Sequence, residues 1–241
     1  MALLAAWLVL GAALALAPGA PDILTFLFVL AGWMLALVAH EFGHAFVAWK
    51  AGDHTVESKG YLTLDPFKYA DLGTSLVIPL LALALGGIGF PGGAVYLRED
   101  LMRSRLWRSA ASLAGPLGTL AAFILLALAV QVGLGALGLE GEALIAGLAF
   151  LAFLQATALI LNLLPVPGLD GYGVIRPFLP AQVRQGLRKF EPLAMLGLLL
   201  ALFLIPGVSG LLIGSAIEIT RAAGVPGLAI AEGFEAFRFW D

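Results

Sequence analysis

The chain has 241 residues, 61% of them hydrophobic and 12% charged, with a mean hydropathy of +1.00 and a formal net charge of −3. Soluble domains carry about 25% charged residues, so this composition describes a polytopic membrane protein and argues against a nucleic-acid partner. Cysteine is absent, which excludes disulfides and thiolate metal sites and leaves His, Asp and Glu as the side chains able to hold any metal ion.

No hydrophilic stretch is long enough for a separate soluble domain. The expected architecture is one all-α integral membrane domain over 1–241, with a core over 23–175 and peripheral helices at 1–17 and 192–223. It comprises about six transmembrane helices, a re-entrant or interfacial segment at 73–90 and a short strand-like element at 90–97.

Residues 2–17 are uniformly apolar and end at Pro18-Gly19. The run is slightly short for a span. Ala15-Leu16-Ala17 resembles a signal-peptidase site, but a basic n-region is missing, which favours a retained first helix. Asp22 is placed to cap a second helix over roughly Ile23 to Trp49. That helix carries no charged side chain before His40-Glu41-Phe42-Gly43-His44. Residues four apart share a helix face, so His40 and His44 can aim ring nitrogens at one point, with Glu41 beside it. This is the H-E-x-x-H spacing: the histidines hold zinc and the glutamate takes a proton from a water. Ionisable groups at membrane depth are costly and imply function. Lys50 marks the polar end of the helix, so the site lies near one membrane surface.

In the loop that follows, Leu62-Thr63-Leu64 alternates like a strand, Asp65-Pro66 reads as a turn, and His54 reads as a solvated residue. Residues 73–90 are apolar but are interrupted by Pro79 and loosened by Gly86, Gly87 and Gly89. Arg98, Arg103, Arg105 and Arg108 lead into a helix that starts near Ser109. The acidic linker Glu140–Glu142 precedes another apolar helix, which ends at Pro165. A basic loop with Arg176, Arg184, Arg188 and Lys189 leads to a last apolar block, divided at Pro206-Gly207. Positive residues favour the cytoplasmic side. If 73–90 dips in and returns, the loops at 50–72, 90–108 and 165–191 are all cytoplasmic, and the exterior loops hold only Asp22, Glu140 and Glu142. A full crossing would put the four-arginine loop outside.

A catalytic zinc usually has three protein ligands and a water. Asp170, in Pro165-Val166-Pro167-Gly168-Leu169-Asp170-Gly171, follows a helix that runs in the same direction as the His40 helix, so it reaches the same membrane side. Asp-Gly is also a common turn pair, and His54 is the only other histidine. Asn162 is a polar amide near the end of that later helix and is placed to face the same cavity.

His40-Glu41-Phe42-Gly43-His44 together with the Asn162-to-Gly171 run (NLLPVPGLDG) resembles the site-2 protease family of intramembrane zinc metalloproteases. Ala114-Gly115-Pro116 is similar to the family's helix-opening motif, although Thr119 stands where many members have Asn. Gly92-Gly93-Ala94-Val95 resembles the short strand-like element before that helix. The resemblance implies one zinc ion held by His40, His44 and Asp170, with Glu41 as general base. It further implies that Asn162 holds the substrate backbone or the developing oxyanion, and that the substrate is a transmembrane helix of another protein in the lipid bilayer. An extended segment at Gly92 to Leu97, including Gly93, Ala94 and Val95, would pair with an unwound substrate by strand addition. Two other readings use the same cluster: a transporter or ion-binding protein, and an inactive helix-binding relative. The absence of an internal repeat and the intact Glu41 count against them.

Overall fold

Apolar runs that must satisfy their own backbone in lipid have one solution within a single segment, the α-helix. The computed structural model describes residues 2–17, 19–65, 96–136, 138 and 143–240, and all the regular structure described is helical. The elements are α1 (Ala2–Leu16), α2 (Asp22–Ala51), α3 (Thr55–Ser58), a 3₁₀ turn (Glu99–Leu101) and α4 (Arg105–Ala136). They continue with α5 (Ala143–Leu163), α6 (Asp170–Ile175), a 3₁₀ turn (Arg176–Phe178) and α7 (Ala181–Arg188). The last three are α8 (Glu191–Leu204), α9 (Pro206–Ala222) and α10 (Gly227–Phe237).

Among the described residues, α2, α4 and α5 are long and apolar enough to cross a membrane, and α8 with α9 makes a fourth span if a bent pair counts as one. The expected number was about six. The difference has two sources. Helix α1 has 15 residues, about 22 Å at 1.5 Å per residue, against a hydrocarbon core of about 30 Å. At Pro206 the chain turns by 88° between α8 and α9, because proline cannot continue the preceding helix. The segment at 73–90 and most of the strand-like element at 90–97 lie outside the described residues, while Tyr96 and Leu97 carry no regular structure. Leu62, Thr63 and Leu64 turn instead of forming a strand. Gly60 adopts φ +76°, Tyr61 N–H bonds back to the Val56 carbonyl, and the Thr63 hydroxyl bonds to the Gly60 carbonyl. Asp22 is the first residue of α2 and makes no capping bond. Its carboxylate still sits in the first turn, where the helix dipole favours it.

Helix α5 is buried on almost every side, from Ile145 to Ala158. Helix α4 is not: Leu117, Ile124, Leu125, Leu128 and Val132 are exposed along one flank, a stripe suited to lipid. Lipid is as apolar as leucine, so packing quality rather than hydrophobicity holds such helices together. Glycines supply that closeness. A Cβ at Gly43 would stand 2.5 Å from the Ala114 carbonyl oxygen, and one at Gly118 would stand 2.7 Å from that of Ala39. Helices α2 and α4 therefore touch backbone to backbone, antiparallel, with His44 level with Ala111 and His40 level with Thr119.

The far end is closed by α10, which the apolar pattern did not mark out. Ala229, Ile230, Gly233 and Phe237 turn inward, and a Cβ at Gly233 would stand 2.1 Å from the Ala146 carbonyl oxygen. Phe237 packs on Phe150 (5.5 Å between ring centres) and on Phe26 (5.1 Å). Trp7 of α1 stacks on Phe28 at 5.1 Å.

At the His44 end, the chain leaving α2 is clasped to the chain entering α4. Gly52, at φ +116°, ends α2 in a left-handed turn. The buried Asp53 carboxylate accepts the Arg98 N–H at 2.7 Å and the Thr55 N–H at 3.1 Å. Lys59 Nζ donates to the Tyr96 carbonyl at 2.8 Å, and Arg103 Nε to that of Ala51 at 3.3 Å. Single cysteines at positions 59 and 97 should therefore react with a membrane-impermeant maleimide from the same side in sealed vesicles. Labelling from opposite sides would contradict this clasp.

Candidate metal centre

Three elements deliver the site. Helix α2 brings His40 and His44 on one face, one turn apart. The segment after α5 unwinds through Pro165 and Pro167 and turns at Gly168, φ +100°, so that Asp170 opens α6 beside them. A Cβ at Gly171 would stand 2.2 Å from the Leu163 carbonyl oxygen; only glycine lets α6 return this tightly against the end of α5. Helix α4 forms the third wall.

The two imidazoles meet at right angles (81°), with their Nε2 atoms 3.0 Å apart. His40 Nε2 is 3.2 Å from Asp170 Oδ2, and His44 Nε2 is 3.2 Å from Oδ1. These ligand atoms lie within 4.8 Å of one another. The donor set, two imidazole nitrogens and a carboxylate, is one that zinc accepts. Gly115 faces the convergence. A Cβ there would come within 2.2 Å of His44 Nε2 and 2.6 Å of His40 Nε2, so the Ala114-Gly115-Pro116 motif keeps open the space an ion requires.

The outer nitrogens are tied as well. His44 Nδ1 donates to the Ala111 carbonyl at 2.7 Å. A carbonyl only accepts, so in the neutral ring the proton sits on Nδ1 and the Nε2 lone pair faces the centre. His40 Nδ1 is 2.9 Å from Thr119 Oγ1. The residue that departs from the common family pattern is thus in contact with a histidine of the site. Burial alone would raise the Asp170 carboxyl, but the imidazoles, when protonated and donating Nε2–H to it, outweigh that and hold it below the usual carboxylate range.

The centre opens into a cavity of about 450 Å³. Glu41 (3% exposed) and Asn162 (5% exposed) both line it. His54 is elsewhere: it lies beyond the end of α2, exposed, with its ring edge-on to Trp49 at 6.2 Å. Gly92, Gly93, Ala94 and Val95 fall outside the described residues, while their neighbours Tyr96 and Leu97 line the cavity. Sequence reasoning missed Gln155, which also lines it, two turns before Asn162 on α5. The available signal was an amide in an otherwise apolar buried helix. The Ala111 carbonyl left no signal, since every residue has one.

A candidate zinc metalloprotease of Mycobacterium tuberculosis, Rip2, is 45% identical to this chain over 216 residues, covering 90% of the chain and 82% of the relative. Its counterpart of the same name in Mycolicibacterium smegmatis is 43% identical over 218 residues, again covering 90% and 82%. YwhC of Bacillus subtilis, also a candidate zinc metalloprotease, is 32% identical over 178 residues, covering 72% of the chain and 78% of the relative. No family model matches the chain, and no solved structure does.

Thr119→Val keeps the shape of the side chain but removes the oxygen beside His40 Nδ1. Loss of such a supporting contact typically costs about 10–100-fold in metal affinity. Zinc competition titration should show a weakening of that order with helicity unchanged; wild-type affinity in the variant would mean the contact does not orient His40.

Proposed function

Since the chain belongs to the site-2 protease family of zinc metalloproteases, we propose that it is an intramembrane endopeptidase that hydrolyses a peptide bond within or near a transmembrane helix of another membrane protein. The observation that supports this most is the convergence of His40, His44 and Asp170 on one point, at the foot of apolar helices and beside the buried Glu41. A zincin serving soluble substrates has no need to set its site among membrane-length helices.

His40, His44 and Asp170 would hold the zinc, which when bound acidifies a water to a pKa of about 7 and polarises a carbonyl. Glu41 takes a proton from the attacking water as its oxygen bonds to the scissile carbonyl carbon. When the C–N bond breaks, Glu41 returns that proton to the leaving nitrogen, acting as base and then as acid. The products are a carboxyl and an amine, with one water consumed. Asn162 donates its amide N–H to the carbonyl oxygen as negative charge develops there. Such a donor is worth about 10²–10³-fold in kcat.

The cavity admits water, and the substrate must enter it unwound, because a helical peptide bond is wrapped by its neighbours. The charge pattern supports a cytoplasmic-side site. The named relatives are bacterial, which supports a bacterial cytoplasmic membrane. Gly92 to Val95 are proposed to pair with the substrate strand.

Purified protein in lipid vesicles, given a transmembrane peptide substrate, provides the test. Glu41→Gln should abolish cleavage while keeping about one zinc per chain. Asn162→Ala should lower kcat about 10²–10³-fold and also keep its zinc. Equal cleavage by wild type and Glu41→Gln would remove Glu41 from the mechanism.

A further inference from the structure

Gln155 occupies a position the chemistry above does not use. It sits midway along α5, 2% exposed, and its side chain makes no hydrogen bond among the described residues; Nε2 is buried without a partner. An amide left unsatisfied in this way is costly, and more so where lipid surrounds the protein. Its surroundings explain why the cost is tolerated. Gln155 lines the cavity of the metal centre together with Trp33, Ala36, Leu37 and Ala158. These four make the inner part of the cavity apolar and partly lined by small side chains. Asn162 lies on the same face of α5, seven residues on, which is two helical turns.

We infer that Gln155 is a substrate-binding residue: its amide N–H donates to a backbone carbonyl of the unwound substrate, about three residues from the scissile bond on the side toward the membrane interior. The inference rests on the intramembrane reading above. Seven helical residues span about 10.5 Å. An extended chain advances about 3.3 Å per residue, so a substrate lying along α5 with its scissile carbonyl at Asn162 brings its third residue to Gln155. The needs are complementary. A helix unwound at membrane depth exposes carbonyls that nothing in lipid can satisfy, and Gln155 is a buried donor with nothing to satisfy. The contact would favour unwinding at a set distance from the cut, and so would help select the bond that is cleaved.

The test pairs Gln155→Met, which keeps length and shape but removes the donor, with substrate peptides in which one backbone amide is replaced by an ester, a weaker carbonyl acceptor. Zinc content, melting temperature, kcat and KM are measured in lipid vesicles. Gln155→Met should keep about one zinc per chain and its melting temperature, and should lower kcat/KM about tenfold on the transmembrane peptide. An ester three residues from the scissile bond should slow the wild type by a similar factor but leave Gln155→Met unaffected, since the acceptor then has no donor to lose.

Wild-type kinetics in Gln155→Met, or ester and mutation effects that simply multiply, would overturn the assignment. Loss of zinc in Gln155→Met would make the residue structural and overturn it too. If the variant fails to fold, the wild type alone decides: no effect of esters at the second to fourth residues overturns the contact. A wild type that cuts soluble peptides but leaves the transmembrane peptide intact would overturn the intramembrane reading itself, and this inference with it.

Discussion

The site depends on one steric constraint: the backbones of α2 and α4 must touch. Gly43 and Gly118 remove the Cβ atoms that would hold the helices apart, and Gly115 removes the one that would fill the space between the imidazoles. With α4 that close, the Ala111 carbonyl and the Thr119 hydroxyl reach the outer nitrogens of His44 and His40. The inner nitrogens are then left facing each other and Asp170. A single methyl group on this seam would push α4 away from the histidine-bearing α2 or into the imidazoles themselves, because packed interiors do not deform continuously.

The same seam manages the cost of putting polar groups in a membrane. An ionisable group among apolar helices is expensive unless its neighbours satisfy it. The imidazoles are satisfied by α4 and Asp170. The Asp53 carboxylate is satisfied by the N–H groups of Arg98 and Thr55. Helix α5 carries Gln155 and Asn162 because it is enclosed by protein, so their amides face the cavity and not lipid. Helix α4 exposes a mainly apolar flank suited to lipid, where the amide of the exposed Gln131 donates to the Ala223 carbonyl. Polarity and exposure are thus divided between helices as well as between helix faces.

The clasp at Asp53, Lys59 and Arg103 does for the loops what the glycines do for the helices. It ties the end of the histidine helix to the approach of α4, so that His44 and Ala111 keep their register. The aromatic contacts of α10 with Phe150 and Phe26 close the opposite end, where no chemistry is required and bulk alone suffices. One end of the molecule is polar and hydrogen-bonded, and the other is packed with rings.

His40, Glu41 and His44 were legible in the sequence because helical periodicity is local: four residues bring side chains to one face whatever the rest of the fold does. The all-α class and the membrane setting followed from composition, since only helices can satisfy long apolar segments internally. Charge in short loops was enough to bring Asp170 to the same end. The number of spans, the turns at 62–64 and the docking of α10 were not legible, because each depends on what packs against the segment. Thr119 stood out in the sequence only as an unusual residue, and Gln155 only as an amide in an apolar run, with nothing to say what it faces. The partner of Thr119 lies on another helix, and a hydrogen bond between residues 79 positions apart leaves no periodic trace. The sequence by itself determined which groups are present and which helix faces carry them. Only the tertiary structure decided which of those faces meet, because that is set by close contacts between helices distant in the chain.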